Sequence, residues 1–217
     1  MRTVIFAGGT VKSGKAIYEA IANSELIIAA DSGAATALRF GCTPSILVGD
    51  FDSLDPHTLQ QLDKRGIQIQ RVPIEKDETD TELAIQVALE QGATSITLLG
   101  ALGGARFDHS AANILLLLAV EKVPLWIVDG PAVCWLLRGP GSVPIIGHKG
   151  DLLSLLPIAG DAIGVRTSNL YYSLRDETLH LGKTRGTSNV LTQETAEVSL
   201  KNGILLLIHT NTQELGG

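Results

Sequence analysis

Over its first 130 residues the chain alternates two hydrophobic periods, and this alternation restricts the fold more than any other feature of the sequence. Short β-branched runs (Thr3 to Phe6, Leu26 to Ala30, Ser45 to Val48, Gln68 to Val72, Ser95 to Leu99 and Leu125 to Val128) have the period of strands. Between them, Lys15 to Ala22, Ala34 to Phe40, Pro56 to Arg65, Asp80 to Gln91 and His109 to Val120 carry helical spacing. Strand and helix in alternation, joined by short loops, imply right-handed crossovers and a mainly parallel sheet covered on both faces. The expected fold class is therefore a doubly wound α/β domain. Asp55 before Pro56 reads as an N-cap, and Thr79 to Glu82 as a capping box.

After about Asp129 the rhythm changes. Gly and Pro recur between short apolar runs such as Asp151 to Leu156, Ala162 to Thr167, Glu197 to Leu200 and Ile204 to His209. Many short strands between turn signals predict an antiparallel β-sandwich or barrel. The expected organisation is an α/β domain over 1–130 and an all-β domain over 131–217, with Gln213 to Gly217 as a frayed tail.

Composition excludes several classes. With 45% hydrophobic and 18% charged residues the chain buries a core and is not disordered. Its 17 basic against 23 acidic side chains form no basic stripe, so no nucleic-acid partner is expected. Cys42 and Cys134 match no metal or disulfide pattern and suit a reducing compartment. Glu121, Lys122 and Pro124 interrupt the longest apolar stretch, Ile114 to Val128, and Met1 to Ala7 is too short for a signal peptide. The expectation is a soluble, cytoplasmic protein with no membrane partner.

Ligands of open parallel sheets bind beyond the carboxyl ends of the strands, and aspartates gather there in this sequence. Asp31 follows the second strand run, Asp50 and Asp52 the third, Asp77 and Asp80 the fourth, and Asp108 the fifth. Alternate residues of an extended segment point the same way, so Asp50 and Asp52 are expected to aim at one point. Such carboxylates, with no Lys or Arg expected among them, would repel one another unless a hard cation neutralised them, and Mg²⁺ shared with substrate phosphates is the expected ion. Each aspartate alone is equally well a cap or turn former; the functional reading rests on several loops meeting at one edge.

The segment Gly100 to Asp108 is a glycine-rich strand-to-helix turn carrying Arg106, suited to approach a phosphate with backbone N–H groups and a guanidinium. Gly9 to Ala16 reads GTVKSGKA and falls one residue short of a P-loop, because Ala16 replaces the hydroxyl that holds the metal.

Asp31-Ser32-Gly33-Ala34, Gly49-Asp50-Phe51-Asp52-Ser53, Lys76-Asp77-Glu78-Thr79-Asp80, Gly100 to His109 and Thr187-Ser188-Asn189, in this order and spacing, resemble the thiamine pyrophosphokinase family. The resemblance covers essentially the whole chain. It implies an N-terminal α/β catalytic domain, a C-terminal β-sandwich that binds thiamine, and a homodimer with thiamine where the subunits meet. It further implies transfer of the β,γ-diphosphate of ATP to the thiamine hydroxyl with release of AMP. By position, Asp50, Asp52 and Asp80 correspond to Mg²⁺ ligands. Asp31, Ser32, Arg106, Asp108 and His109 fall at ATP-binding positions, and Asp77, Asp80 and Arg106 at catalytic ones, with Asp77 or Asp31 as candidate proton acceptor. Ser188 and Asn189 correspond to residues that meet the aminopyrimidine. Val190 and Leu191 follow this dipeptide, where some members carry a stacking aromatic, and Trp135 is distant in sequence. The alternatives are a diphosphokinase for another hydroxymethyl heterocycle, such as a reduced pterin, and a non-catalytic nucleotide or Mg²⁺ sensor.

Overall fold

A computed structural model describes residues 1–215, which form two compact units divided between Gly130 and Pro131. The first unit contains strands β1 (Arg2–Phe6), β2 (Leu26–Ala30), β3 (Ile46–Gly49), β4 (Gln68–Arg71), β5 (Ser95–Leu99) and β6 (Leu125–Asp129). They alternate with helices α1 (Lys15–Ala22), α2 (Gly33–Arg39), α3 (Pro56–Lys64), α4 (Asp80–Glu90) and α5 (Phe107–Ala119). The strand pairings of this unit among the described residues are parallel, in the spatial order β6-β5-β1-β2-β3-β4. The chain steps outward from β1 to β4, then returns through α4 to β5 on the other side of β1. The topological switch therefore lies between β1 and β5, where the crevice of such a sheet opens.

Ile5, Phe6, Ile28, Leu47, Ile96, Leu98 and Ile127 are fully buried along the central strands, as continuous apolar runs require when helices cover both faces. Gly33, at the start of α2, brings the helix so close to β1 that a Cβ there would lie 2.0 Å from the Phe6 carbonyl oxygen. Asp55 accepts the Thr58 N–H at 2.9 Å, and Thr79 accepts the Glu82 N–H at 3.2 Å, so both N-caps form where the sequence places them.

The second unit is a sandwich of two antiparallel sheets. One is ordered β12-β9-β14-β7, built from β7 (Ala132–Arg138), β9 (Leu152–Pro157), β12 (Asn189–Val190) and β14 (Ile204–Thr210). The other is ordered β11-β10-β13-β8, from β8 (Gly141–Ile146), β10 (Ala162–Ser168), β11 (Arg175–Leu179) and β13 (Thr195–Leu200). Alternate residues of the two sheets, among them Leu153, Leu155, Leu205 and Leu207 against Val165, Ala196 and Val198, close one apolar core.

The end of the chain differs from the expected frayed tail. Thr212–Glu214 forms a 3₁₀ turn capped by Asn211, and the Thr212 N–H is anchored to Asp151 at 3.1 Å. Gly216 and Gly217 lie outside the described residues. No helix among the described residues is long and apolar enough to cross a membrane.

Candidate active site

At the switch point the loops after β1 and β5 interlock. The Gly9 N–H donates to the Gly100 carbonyl at 2.9 Å, and a Cβ on Gly9 would lie 2.4 Å from that oxygen. Only glycine permits this approach. Asn113, buried on α5, donates to the Ala101 carbonyl at 2.7 Å and pins the second loop from below. The GTVKSGKA segment thus contributes its leading glycine to a backbone crossing.

A cleft of about 410 Å³ opens over these loops, lined by Gly8, Gly9, Gly100, Gly103 and Gly104, by Asp31, Ser32, Asp50, Asp52 and Asp80, and by Arg106, His109 and Asn113. Carboxylate oxygens of Asp31, Asp50 and Asp52 lie within 4.8 Å of one another. Asp31 is 7% exposed, and its Oδ1 has no hydrogen-bond partner among the described residues. Burial pushes its pKa upward; the Ser32 N–H opposes this, and the charges of Asp80, Asp52 and Asp50 add to the rise. Asp31 also holds a left-handed backbone with φ of 45°. Strain of this kind at a non-glycine residue marks a site that the surrounding fold over-determines.

Asp50 and Asp52 converge by a different route from the expected one. Phe51 between them has φ of 67°, so the segment is a tight turn and not an extended strand, and the Asp52 N–H folds back onto Asp50 Oδ1 at 3.0 Å. Buried Phe51 fixes the turn, packing with Ala29, Leu47, Leu54 and Leu62 beneath the Arg71 guanidinium, whose carbon lies 4.8 Å from the ring centroid. That N–H and the neighbouring Lys76 ammonium hold the Asp50 pKa below the usual carboxylate value.

The expectation of a carboxylate cluster free of basic residues is corrected by Lys76. Its Nζ sits 2.9 Å from Asp80 Oδ1 and 3.3 Å from Asp50 Oδ2, with the side chain 12% exposed. Lys76 stands in the same sequence segment as Asp77 and Asp80, but only the packed fold shows that it turns toward Asp50 and Asp80 while Asp77 is exposed; neither Lys76 nor Asp77 lines the cleft itself. Arg106 and exposed His109 line the cleft. Asp108 does not, but it grips Arg106 through both Nε (2.9 Å) and Nη2 (2.6 Å), and the guanidinium lowers its pKa to about 2. Arg106, at the N-cap of α5, makes no side-chain hydrogen bond to the first turn of the helix.

The second unit has its own pocket, of about 260 Å³, lined by Leu155, Tyr172, Ser173, Leu174, Arg185, Gly186, Thr187 and Asn189. Asn189 is buried at 6% exposure and is committed to the main chain of Tyr172. Ser188 is exposed, adopts φ of 55°, and donates its N–H to Ser154 Oγ at 3.0 Å; it stands beside the lining residues and is not one of them. Trp135 packs against the sandwich core, so the aromatic at this pocket is Tyr172, 67% exposed and in edge contact with Tyr171. Two adjacent tyrosines in a chain with 4% aromatic residues are the signal the sequence offered for it.

Glycine loops and a cluster of carboxylates, Asp31 buried among them, beyond the carboxyl ends of a parallel sheet define a doubly wound α/β protein with a ligand cleft at its switch point. The chain matches the thiamin pyrophosphokinase catalytic domain over residues 17–128 and the thiamin pyrophosphokinase vitamin B1 binding domain over residues 143–205. It belongs to the thiamine pyrophosphokinase family. It is 30% identical over 188 residues to a thiamine pyrophosphokinase of Bacillus subtilis, covering 85% of this chain and 87% of that one. The crystal structure of the Bacillus subtilis enzyme superposes with a TM-score of 0.86 at 28% identity, over 97% of this chain and 99% of that one. That of Geobacillus thermodenitrificans superposes with a TM-score of 0.83 at 29% identity, covering 97% and 98%.

Proposed function

We propose that this protein transfers the β,γ-diphosphate of ATP to the hydroxyl of thiamine, giving thiamine diphosphate and AMP. The first unit binds ATP and Mg²⁺, and the second binds thiamine and dimerises, with thiamine at the subunit interface. The observation that carries this reading is the cluster of Asp31, Asp50 and Asp52 carboxylates, with one oxygen of each within 4.8 Å of the others and Asp31 Oδ1 buried without a partner among the described residues, in the domain that matches the family's catalytic model.

The donor set fits Mg²⁺: three hard carboxylate oxygens from two loops, with Asp80 lining the same cleft. Asp50 and Asp52, with Asp31 and Asp80 beside them, would hold it. When bound, the ion neutralises charge on phosphate oxygens and orients them for in-line displacement.

The chain's own groups do the rest. Backbone at Gly8, Gly9, Gly103 and Gly104 admits a phosphate chain closely because no Cβ stands in the way. Arg106 supplies planar donors at the cleft, and Asp108 pre-orients that guanidinium through two contacts. Charge placed in advance costs no reorganisation as the transition state forms. Of the two candidate proton acceptors, Asp31 lines the cleft and Asp77 does not. In the second unit Tyr172 offers an aromatic face to a planar heterocycle, and Ser188 an exposed hydroxyl beside it.

Mass spectrometry of a reaction containing ATP, Mg²⁺ and thiamine tests this. AMP and thiamine diphosphate should rise together. ADP with thiamine monophosphate, or AMP release that requires a pterin and ignores thiamine, would overturn it.

A further inference from the structure

Lys76 contacts two of the acids that line the cleft, and the reaction scheme gives it no task. Its ammonium lies between acids of two loops, Asp50 in the turn after β3 and Asp80 at the first residue of α4. The three side chains are 12%, 11% and 25% exposed. An ammonium so sheltered is tolerable only when paired, and here two carboxylates pair it. Asp50 is shared: Oδ1 accepts the Asp52 N–H, and Oδ2 faces the ammonium.

We infer that Lys76 is the resident counter-ion of the metal-free site: its ammonium bridges Asp50 and Asp80 where a divalent cation would otherwise be needed, and competes with that cation for Asp50. The inference rests on the proposed function in taking Asp50 and Asp52 as metal ligands. Four carboxylates at one cleft repel one another. A tethered cation keeps them together without metal, so the cleft is formed before substrate arrives. The same contact weakens the hold on a bare ion. An ion carried on a nucleotide brings phosphate oxygens that an ammonium displaced from Asp50 can meet, so metal and nucleotide are favoured together over metal alone.

The test uses the full chain and Mn²⁺ alone, with no nucleotide, followed by the spectroscopic signal of free Mn²⁺ and by calorimetry. Lys76→Met should bind Mn²⁺ at least about tenfold more tightly than the parent protein, because loss of one positive charge a few Å from a divalent ion suffices for that factor even at a high effective dielectric constant. Lys76→Arg, which keeps the charge, should stay near the parent value. Metal-free Lys76→Met should melt lower, and Mn²⁺ should raise its Tm by more than it raises the parent's. Should Lys76→Met fail to fold, Lys76→Gln provides the same comparison. Unchanged or weaker Mn²⁺ binding in the neutral variants overturns the inference. Asp52→Asn separates the two claims. If it leaves Mn²⁺ binding intact, the metal assignment itself fails; if it abolishes binding while the Lys76 variants show no gain, only the counter-ion role fails.

Discussion

Asn189 grips the main chain of Tyr172 from both directions, its Nδ2 donating to the Tyr172 carbonyl at 2.8 Å and its Oδ1 accepting the Tyr172 N–H at 3.0 Å. The same oxygen accepts the Val190 N–H at 2.9 Å. The side chain that the resemblance assigns to the aminopyrimidine is thus spent on holding the aromatic residue of the pocket. Asn189→Ala should cost about 1–3 kcal/mol of stability, the penalty for leaving sheltered main-chain groups unpaired. It should also raise the KM for thiamine by about tenfold while leaving that for ATP near its original value. Denaturant titration and two-substrate kinetics measure both; an equal rise in the two KM values would separate Asn189 from the thiamine pocket.

Asp31 carries a stability cost that the site retains. Burial, reinforced by the charges of Asp80, Asp52 and Asp50, raises its pKa in the folded protein above the ordinary 3.8, so the folded state favours the protonated form. The ionised carboxylate therefore subtracts stability as pH climbs through the raised value, and below 3.8 the effect vanishes. Asp31→Asn should stabilise the metal-free protein at neutral pH by about 1 kcal/mol, with the gain shrinking in acid, while weakening Mn²⁺ binding. Thermal melts across pH check the first part and calorimetry the second. A neutral-pH Tm below the parent's would contradict the account.

A buried acid in the second unit has the opposite sign. Asp151 is fully buried; burial pushes its pKa up, but the N–H groups of His148 and Thr212 and the His209 ring outweigh it, and the pKa falls below the ordinary 3.8. A lowered carboxylate pKa contributes stability that is present above 3.8 and lost as pH falls through the folded-state value. Replacing it with asparagine should cost roughly 3 kcal/mol at neutral pH, since it breaks a buried charge network. Acid unfolding curves should become flatter at the same time. Parallel curves for parent and Asp151→Asn would remove the carboxylate from the acid transition. The contact with the Thr212 N–H also anchors the 3₁₀ turn that follows β14.

The first unit was legible because its signals are local. Leu26–Ala30, Ser95–Leu99 and Lys15–Ala22 come out with the boundaries that periodicity predicts, and Asp55 and Thr79 cap the helices they precede. The second unit was read in outline. Strand β8 (Gly141–Ile146) holds Pro144 and alternates weakly, and β12 is two residues long, so neither announces itself without its partner strand. The candidate site was legible as a list of residues, and its geometry was not. Asp50 and Asp52 meet through the left-handed Phe51, a conformation with no propensity signal, and Arg106 and Asp108 were separate candidates until the fork between them closed.

The sequence alone determined which segments become strands and helices and which loops carry acids and glycines, because hydrophobic period, caps and turn residues act within a few positions along the chain. Tertiary structure decided which of those residues meet. Lys76 reaches Asp50 across 26 positions, Asn189 reaches Tyr172 across 17, and β5 pairs with β1 on the side opposite β2. Such choices depend on chain reversal and on which faces can be buried together, and these are properties of the whole packed unit and of no single segment.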